Sequence, residues 1–137
     1  MVIFALILPA PLCRAENARP VYEWFYDHGG YQKAIQEQKK MQEPIVLYFH
    51  ASWCPYCRAF ERDVLDAPLV KEYLSDVIKV KIDAEKEREL SEEYGIFGFP
   101  IIFAVDVKTK AAARLPTNLP PQRFIEECRL AGLKKKT

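Results

Sequence analysis

The sequence has almost no net charge and no repeated or low-complexity segment. Lys and Arg total 20 against 19 Asp and Glu, so no overall charge draws the chain to nucleic acid or to acidic membranes, and we expect no nucleic-acid partner. The basic end Lys134-Lys135-Lys136 is most simply a solvated tail. Half of the 137 residues are hydrophobic, which suffices for one compact domain with a core and is too little for two.

Cysteine is scarce, and its distribution argues against a disulfide-stapled scaffold. The chain has four cysteines, Cys13, Cys54, Cys57 and Cys128. A domain with this hydrophobic content needs no disulfide framework to hold it together. Cys54 and Cys57 stand as a pair, whereas Cys128 stands alone and is expected to pack as a core thiol.

The chain has no apolar run long enough to span a bilayer as a helix. The run from Val2 to Leu12 instead resembles the apolar region of a secretory signal with cleavage after Ala15, although the usual basic start is missing. We therefore predict a signal peptide over residues 1–15 and a single domain over residues 16–137, exported to the periplasm or a similar compartment. The alternative is that the resemblance is accidental.

Helical and strand patterns alternate along the rest of the chain. An aromatic lead-in, Trp24-Phe25-Tyr26, is predicted to be irregular and to pack on the domain. The pattern predicts helices over 31–41, 54–65, 69–74, 85–94 and 121–131, and strands over 45–49, 77–83, 100–105 and 111–115. Strands separated by helices, followed by a hairpin and a closing helix, predict an α/β fold with a central mixed sheet covered on both faces.

The most informative feature is the segment Cys54-Pro55-Tyr56-Cys57, which follows the apolar strand 45–49. Two cysteines at this spacing form a dithiol that closes to a disulfide with little backbone movement. The first sulfur would lie at a helix N-terminus, where unpaired N–H groups favour the thiolate. Thiolate is the attacking species in disulfide exchange, so the pair indicates redox chemistry.

The alternatives for this pair are a structural zinc site and an inert disulfide. Zinc usually takes four ligands, and His28, His50 and Cys128 are the side chains left to complete the set. None of them has ligand spacing to the pair, so we expect no metal and favour the redox interpretation.

The sequence resembles the thioredoxin superfamily. The resemblance is carried by Trp53-Cys54-Pro55-Tyr56-Cys57 after a buried strand, by Val80-Lys81-Ile82-Asp83, and by Tyr94-Gly95-Ile96-Phe97-Gly98-Phe99-Pro100 further downstream. The stretch 60–70 is similar to exported thioredoxin-like proteins, including the C-terminal domain of periplasmic thiol:disulfide interchange proteins. The resemblance implies a thioredoxin fold and a protein thiol:disulfide oxidoreductase, with reduction favoured over oxidation.

The same resemblance implies that the redox-active disulfide Cys54–Cys57 serves without a further cofactor. Its partners would be proteins with disulfides or thiols, together with a membrane or soluble redox partner that resets the pair. We expect the protein to be a monomer. A histidine between the cysteines, present in strongly oxidising relatives, is missing here, which favours a reductase.

The resemblance also implies site roles. Cys54 would be the nucleophile, exposed at the helix start, and Cys57, more buried, would resolve the mixed disulfide. Pro100 matches the family's cis proline, which lies beside the dithiol. Trp53 would shield the sulfur, and Phe99 would present its backbone to substrate.

Other residues of the site are assigned to tuning or depart from the family. Pro55 and Tyr56, between the cysteines, would tune the pair or line the groove. Phe99 is bulkier than the residue that usually precedes the family's proline, and it should narrow the substrate groove or make it more apolar. Tyr48 occupies the position of the buried carboxylate of thioredoxins and is a poor proton acceptor near neutral pH. Lys79 matches the lysine that partners that carboxylate, so it is either repurposed or exposed.

His50 and Arg58 lie near the pair and each has two possible roles, and the protein as a whole has one alternative function. His50 is interpreted as a half-buried histidine at a strand end rather than as a residue that tunes Cys54. Arg58 is either a surface arginine or a group that stabilises the thiolate. The alternative function is a binding or chaperone module that keeps the fold and uses the groove at Phe99 to hold secreted clients.

Overall fold

A computed structural model describes residues 20–106 and 108–134 of the chain. The predicted signal peptide over residues 1–15, with Cys13, lies outside the described residues. None of the helices in the described ranges has the length and apolar content needed to cross a membrane.

A mixed β-sheet forms the centre of the fold. Within the described residues it has five strands: β1 (Phe25–Tyr26), β2 (Ile45–His50), β3 (Lys79–Asp83), β4 (Ile101–Val105) and β5 (Ala112–Leu115). Their order across the sheet is β1-β3-β2-β4-β5. β3 runs parallel to β1 and β2, whereas β4 is antiparallel to β2 and β5 to β4. The predicted α/β fold with a mixed sheet is confirmed.

Helices cover both faces of this sheet. They are α1 (Asp27–Met41), α2 (Pro55–Phe60), α3 (Pro68–Tyr73), α4 (Arg88–Glu93) and α5 (Pro121–Leu130), and α2 continues directly into a π-helical turn over Glu61–Leu65. Prolines occupy the first helical position of α2, α3 and α5, where a missing N–H costs nothing. The predicted helix over 54–65 is therefore present, with its second half more loosely wound.

The central strand β2 is buried on both faces, as its continuous apolar run predicts. Val46 and Tyr48 point into a core shared with α2, α3 and α5. Leu47 and Phe49 point into a second core, under α1 and α4. Because β2 is held from both sides, the loop that leaves its carboxyl end starts from a rigid position.

The N-terminal edge differs most from the prediction. Phe25 and Tyr26 form a short strand rather than an irregular lead-in, and α1 begins at Asp27, four residues earlier than predicted. The Asp27 carboxylate accepts a hydrogen bond from the backbone N–H of Asp83 at 2.9 Å, which ties the helix start to β3. A Cβ at Gly30 would lie 2.9 Å from the backbone carbon of Phe25, so the absent side chain lets helix and strand approach.

The fourth helix is shorter than the predicted 85–94. The Asp83 carboxylate accepts hydrogen bonds from the N–H groups of Glu85 and Lys86, so these residues form a side-chain-capped turn before α4 starts at Arg88. Gly95, with φ at +65°, follows the helix end as predicted.

Lys79 is buried rather than exposed. Its ammonium group donates hydrogen bonds to the carbonyl oxygens of Tyr22 and, at 3.1 Å, Leu74. It also lies over the ring of Trp24, whose edge meets the ring of Tyr48. The lysine that the resemblance pairs with a buried carboxylate is thus used here to fasten the chain before β1.

Candidate active site

The site begins where β2 ends and α2 begins. Cys54 is the N-cap residue of α2, and its backbone N–H donates to the carbonyl oxygen of Ala51 at 3.1 Å. Pro55 follows at the first helical position, where its fixed φ suits the turn. The local sequence therefore folds the loop so that the first cysteine stands at the helix entrance.

The two cysteines of the motif lie together. Their Cα atoms are 5.2 Å apart and their sulfurs are within disulfide-bonding distance. The backbone N–H of Cys57 donates to Sγ of Cys54 at 3.1 Å. The sulfur of Cys54 thus takes the place of the oxygen that usually caps a helix N-terminus.

Cys54 is buried in this disulfide state, and the expectation that it is exposed is wrong here. Its relative exposure is 3%, and it belongs to a small buried cluster with Ala51 and Cys57, against which Phe99 packs. The capping hydrogen bond holds the sulfur at the helix start, and Phe99, from the loop before β4, packs against the cluster. Trp53 stays largely exposed, with its ring centroid 6.3 Å from that of Phe99 in an edge-on arrangement.

The loop before β4 brings Phe99 and Pro100 to the same end of the sheet. The Phe99–Pro100 peptide bond is cis. Ile101, the first residue of β4, is paired with Phe49 near the end of β2, and this pairing places Pro100 beside the loop that carries the cysteines. Phe99 and Pro100 line two surface cavities, of about 480 and 380 Å³.

A charged network that the sequence prediction missed lies behind the pair. The buried Tyr48 hydroxyl donates to the Glu61 carboxylate at 3.0 Å, and its oxygen lies 3.5 Å from the carbonyl oxygen of Cys57. Lys81, which is paired with Tyr48 across the sheet, forms an ion pair with the same carboxylate at 2.7 Å. At the position where thioredoxins have a buried carboxylate, this chain has the phenol of Tyr48. That phenol hydrogen-bonds the carboxylate of Glu61, which lies one helical turn after Cys57.

Burial, and then the negative charge of Glu61, raise the pKa of Tyr48 well above its usual value. The phenol therefore stays protonated and acts as a donor. One signal could have revealed Glu61, since it follows Cys57 by four residues on a helix and so lies on the same side.

His50 and Arg58 flank the Cys54–Cys57 pair in the sequence. His50 is half-buried and stacks on the ring of Tyr48, with 5.7 Å between centroids. Burial and the positive charge of Lys81 lower the pKa of His50, which favours the neutral imidazole. Arg58 is exposed, and its guanidinium donates to the carbonyl oxygen of Ser52 at 3.0 Å, which braces the loop before the motif.

Cys128 is a fully buried core thiol, as expected. Burial raises its pKa to about 12, so it carries almost no thiolate near neutral pH. No group of three or more His, Cys, Asp or Glu side chains able to hold a metal comes together in the described part of the chain.

Comparison with known proteins places this geometry in a family. Residues 31–131 match the family described as a thioredoxin-like domain. The disulfide bond reductase DsbH of Chlamydia pneumoniae is 25% identical, over 80% of this chain and 80% of DsbH. The thiol:disulfide interchange protein DsbD of Vibrio cholerae is 27% identical over 74% of this chain, which spans only 18% of that longer protein.

Solved structures agree with the sequence comparison. The oxidised C-terminal domain of DsbD from Neisseria meningitidis superposes with a TM-score of 0.68 at 26% identity, covering 80% of this chain and 99% of that domain. A structure of a DsbH oxidoreductase shares the fold, with a TM-score of 0.71 at 19% identity over 98% of this chain and 96% of its own. The chain therefore belongs to the thioredoxin-like family, and its disulfide-distance pair at Cys54 and Cys57 makes it a member of the thiol:disulfide oxidoreductase type.

Proposed function

We propose that the protein is an exported protein-disulfide reductase that works by dithiol exchange through Cys54 and Cys57. The observation that carries this proposal is the placement of the pair at the start of α2, with the N–H of Cys57 donating to Sγ of Cys54. In the reduced protein the same N–H stabilises a thiolate on Cys54, because a charge-assisted hydrogen bond is about twice as strong as a neutral one. Cys54 is therefore the nucleophile.

The reaction has two exchange steps. The Cys54 thiolate attacks one sulfur of a substrate disulfide, forming a mixed disulfide and releasing the other sulfur as a thiolate that takes a proton. Cys57 then loses its proton and attacks Sγ of Cys54, which releases the second substrate sulfur as a thiol. The substrate gains two electrons and two protons, and the protein is left with the Cys54–Cys57 disulfide.

The surrounding residues assist this exchange. Phe99 packs against the cluster that contains the pair, and with Pro100 it would guide the substrate backbone, while Trp53, whose ring meets that of Phe99, would shield the sulfur. Pro55 and Tyr56 separate the cysteines and set the start of the helix. Because Tyr48 keeps its proton, the charges of this network that influence proton loss at the pair are the Glu61 carboxylate, which Tyr48 holds, and the Lys81 ammonium paired with it.

The direction and the location of the reaction rest on separate observations. The relative DsbH is a disulfide bond reductase, and this chain lacks a histidine between its cysteines. The apolar run before Ala15 supports export and a domain over residues 16–137. A membrane or soluble partner then reduces the Cys54–Cys57 disulfide after each turnover, and the protein acts as a monomer.

Two variants test this proposal. In an insulin-reduction assay with a chemical electron donor, Cys54→Ser should abolish turnover above the donor's own rate. Cys57→Ala should stop the reaction at the mixed disulfide, so that non-reducing gels show substrate bound to the protein. Undiminished turnover by Cys54→Ser would overturn the proposal, and retained client binding by that variant without any turnover of the wild type would favour the binding module instead.

A further inference from the structure

His50 ends β2, on the same face of the sheet as Tyr48 and four residues before the first cysteine of the pair. Its neighbour Ala51 belongs to the buried cluster that contains both cysteines, and the carbonyl oxygen of Ala51 accepts the backbone N–H of Cys54 at 3.1 Å. The His50 ring also stacks on the Tyr48 ring, whose hydroxyl oxygen lies 3.5 Å from the carbonyl oxygen of Cys57. Two short routes therefore link the imidazole to the pair, one along the chain and one through Tyr48.

Three charged side chains act on the imidazole, and each has a partner of its own. Lys81 and Asp83 come from β3, and Glu61 comes from the π-helical turn after α2. Lys81 and Glu61 form an ion pair at 2.7 Å, and the Asp83 carboxylate accepts backbone N–H groups of the turn that follows β3. The neighbouring phenol of Tyr48 keeps its proton. His50 is therefore the member of this cluster that changes its charge between about pH 5 and about pH 8.

The position of His50 gives its charge an effect on the pair. The imidazole is half-buried, so a proton from water reaches it, while the surrounding protein screens its charge less than open solvent would. A positive charge close to a cysteine favours the thiolate over the thiol. Burial and Lys81 lower the pKa of His50, so it takes up its proton below about pH 6.5, where the fraction of thiolate at the pair is falling. The two titrations therefore oppose each other as the pH falls.

We propose that the His50 proton stabilises the Cys54 thiolate and so slows the loss of disulfide exchange as the pH falls. This inference rests on the proposed function, because Cys54 is the sulfur that starts the exchange there. His50 acts on Cys54 through its charge, so it is a positioning residue and not a catalytic one. Coupling of the two sites makes Cys54 lose its reactivity over a wider pH range than a lone thiol would.

The test measures the initial rate at which iodoacetamide alkylates Cys54 in the reduced full-length protein, at about pH 5 and about pH 8, with the labelled peptide identified by mass spectrometry. His50→Gln removes the titrating group and keeps a polar side chain. At the higher pH its rate should equal that of the wild type, because both side chains are then neutral. At the lower pH its rate should be roughly two- to three-fold lower, because the wild type alone carries the added charge.

Two further variants separate the effect of charge from that of packing. His28→Gln, at the exposed second histidine, is the matched control and should follow the wild type at both pH values. His50→Lys carries its positive charge over this whole range, so it should alkylate roughly two- to three-fold faster than His50→Gln at both pH values. The ratio of the two rates within one variant cancels any general change in the accessibility of the sulfur.

Two results would overturn the inference. One is a ratio of the rates at the two pH values that is the same in the wild type and in His50→Gln. The other is a His50→Lys variant that alkylates no faster than His50→Gln at the higher pH. The proposed function is tested separately, by adding oxidised glutathione to the same reduced proteins. If Cys54 alkylates as expected but no disulfide forms between Cys54 and Cys57, the effect of His50 on the thiol stands and the proposed function fails.

Discussion

At the scale of single residues, the site contains two cysteine sulfurs at disulfide-bonding distance and a set of neighbours that control charge around them. Cys54 caps α2 and accepts the N–H of Cys57, so its thiolate has a donor in place before any substrate arrives. Cys128, by contrast, is sealed in the core with a raised pKa and takes no part in exchange. Reactivity is therefore decided by position at a helix start and not by the presence of a thiol alone.

Glu61 offers a direct test of the charge network behind the pair. Glu61→Gln keeps an oxygen for the Tyr48 hydroxyl but leaves the Lys81 ammonium without its carboxylate. The added positive charge favours the thiolate, so the pH midpoint for alkylation of Cys54 in the reduced protein should fall by roughly half a pH unit to one unit. Iodoacetamide labelling against pH measures this midpoint.

Tyr48→Phe is the matched control for that substitution, since it removes the hydrogen bond and keeps the ion pair. It should move the alkylation midpoint much less than Glu61→Gln does. An equal shift in both variants would mean that loss of packing, and not the charge of Glu61, changes the thiol.

The lowered pKa of His50 predicts how the free energy of unfolding depends on pH. Burial and Lys81 lower its pKa in the folded protein, while Glu61 and Asp83 oppose the shift. As the pH falls, the unfolded chain therefore binds a proton at His50 before the folded protein does. The contribution of His50 to the free energy of unfolding is fully present above about pH 6.5, and it is lost as the pH falls from that value towards the folded pKa. Because the ring is only half-buried, solvent screening limits the effect to a few tenths of a kcal/mol.

Urea unfolding at about pH 7.5 and about pH 5 measures this effect against the unfolded pKa of about 6.5. His50→Gln should lose part of the difference between the two free energies of unfolding. His28→Gln, at the exposed second histidine, should retain it. If both variants keep the full difference, other groups cause the pH dependence.

At the scale of elements, α1 packs directly against the backbone of β1. Gly30 lets the helix pass over the backbone of Phe25, and the Asp27 carboxylate fixes the helix start on β3. Lys79 then fastens the preceding segment through the carbonyl oxygen of Tyr22. These three contacts hold β1 at the edge of the sheet, because only its two residues pair with β3.

Two neighbouring glycines of α1 should respond to alanine in opposite directions. Gly30→Ala forces a Cβ to 2.9 Å from the carbonyl carbon of Phe25 and should lower the free energy of unfolding by roughly 1–3 kcal/mol. Gly29→Ala meets no atom within 4 Å and should raise it by roughly 0.5–1 kcal/mol through helix propensity. Urea denaturation measures both, and a Gly30→Ala variant as stable as the wild type would contradict the packing at β1.

The sequence predicted those elements whose residue pattern is local. It did not predict features that depend on contacts between residues far apart in the chain. The continuous apolar runs of β2 and β4 and the prolines at the starts of α2, α3 and α5 are local signals. The start of α1 depends instead on Asp83 and Phe25, which belong to other elements. For the same reason the sequence predicts the spacing of the pair, but it does not predict the burial of Cys54 or the packing of Phe99, 45 residues further along, against the cluster that contains it.

At the scale of the whole molecule, the two cores and the sheet hold one end of the fold in a defined shape. The cysteines follow the end of β2, and Phe99 and Pro100 lie beside them in the loop before β4. Lys81 of β3 lies behind them. The described part of the chain thus presents a redox pair with the exposed aromatic residues Trp53 and Tyr56 beside and within the motif, and electrons exchanged with another molecule pass through that pair. The potential of the pair decides which way those electrons flow.

The reduction potential of the Cys54–Cys57 pair tests the central claim most directly. Full-length protein is equilibrated with a series of glutathione ratios, its thiols are trapped, and the fraction of reduced pair is fitted to a two-electron transition. A reductase predicts a potential near or below about −230 mV. A potential above about −160 mV would make the protein a disulfide donor, and the absence of any two-electron transition would contradict dithiol exchange altogether.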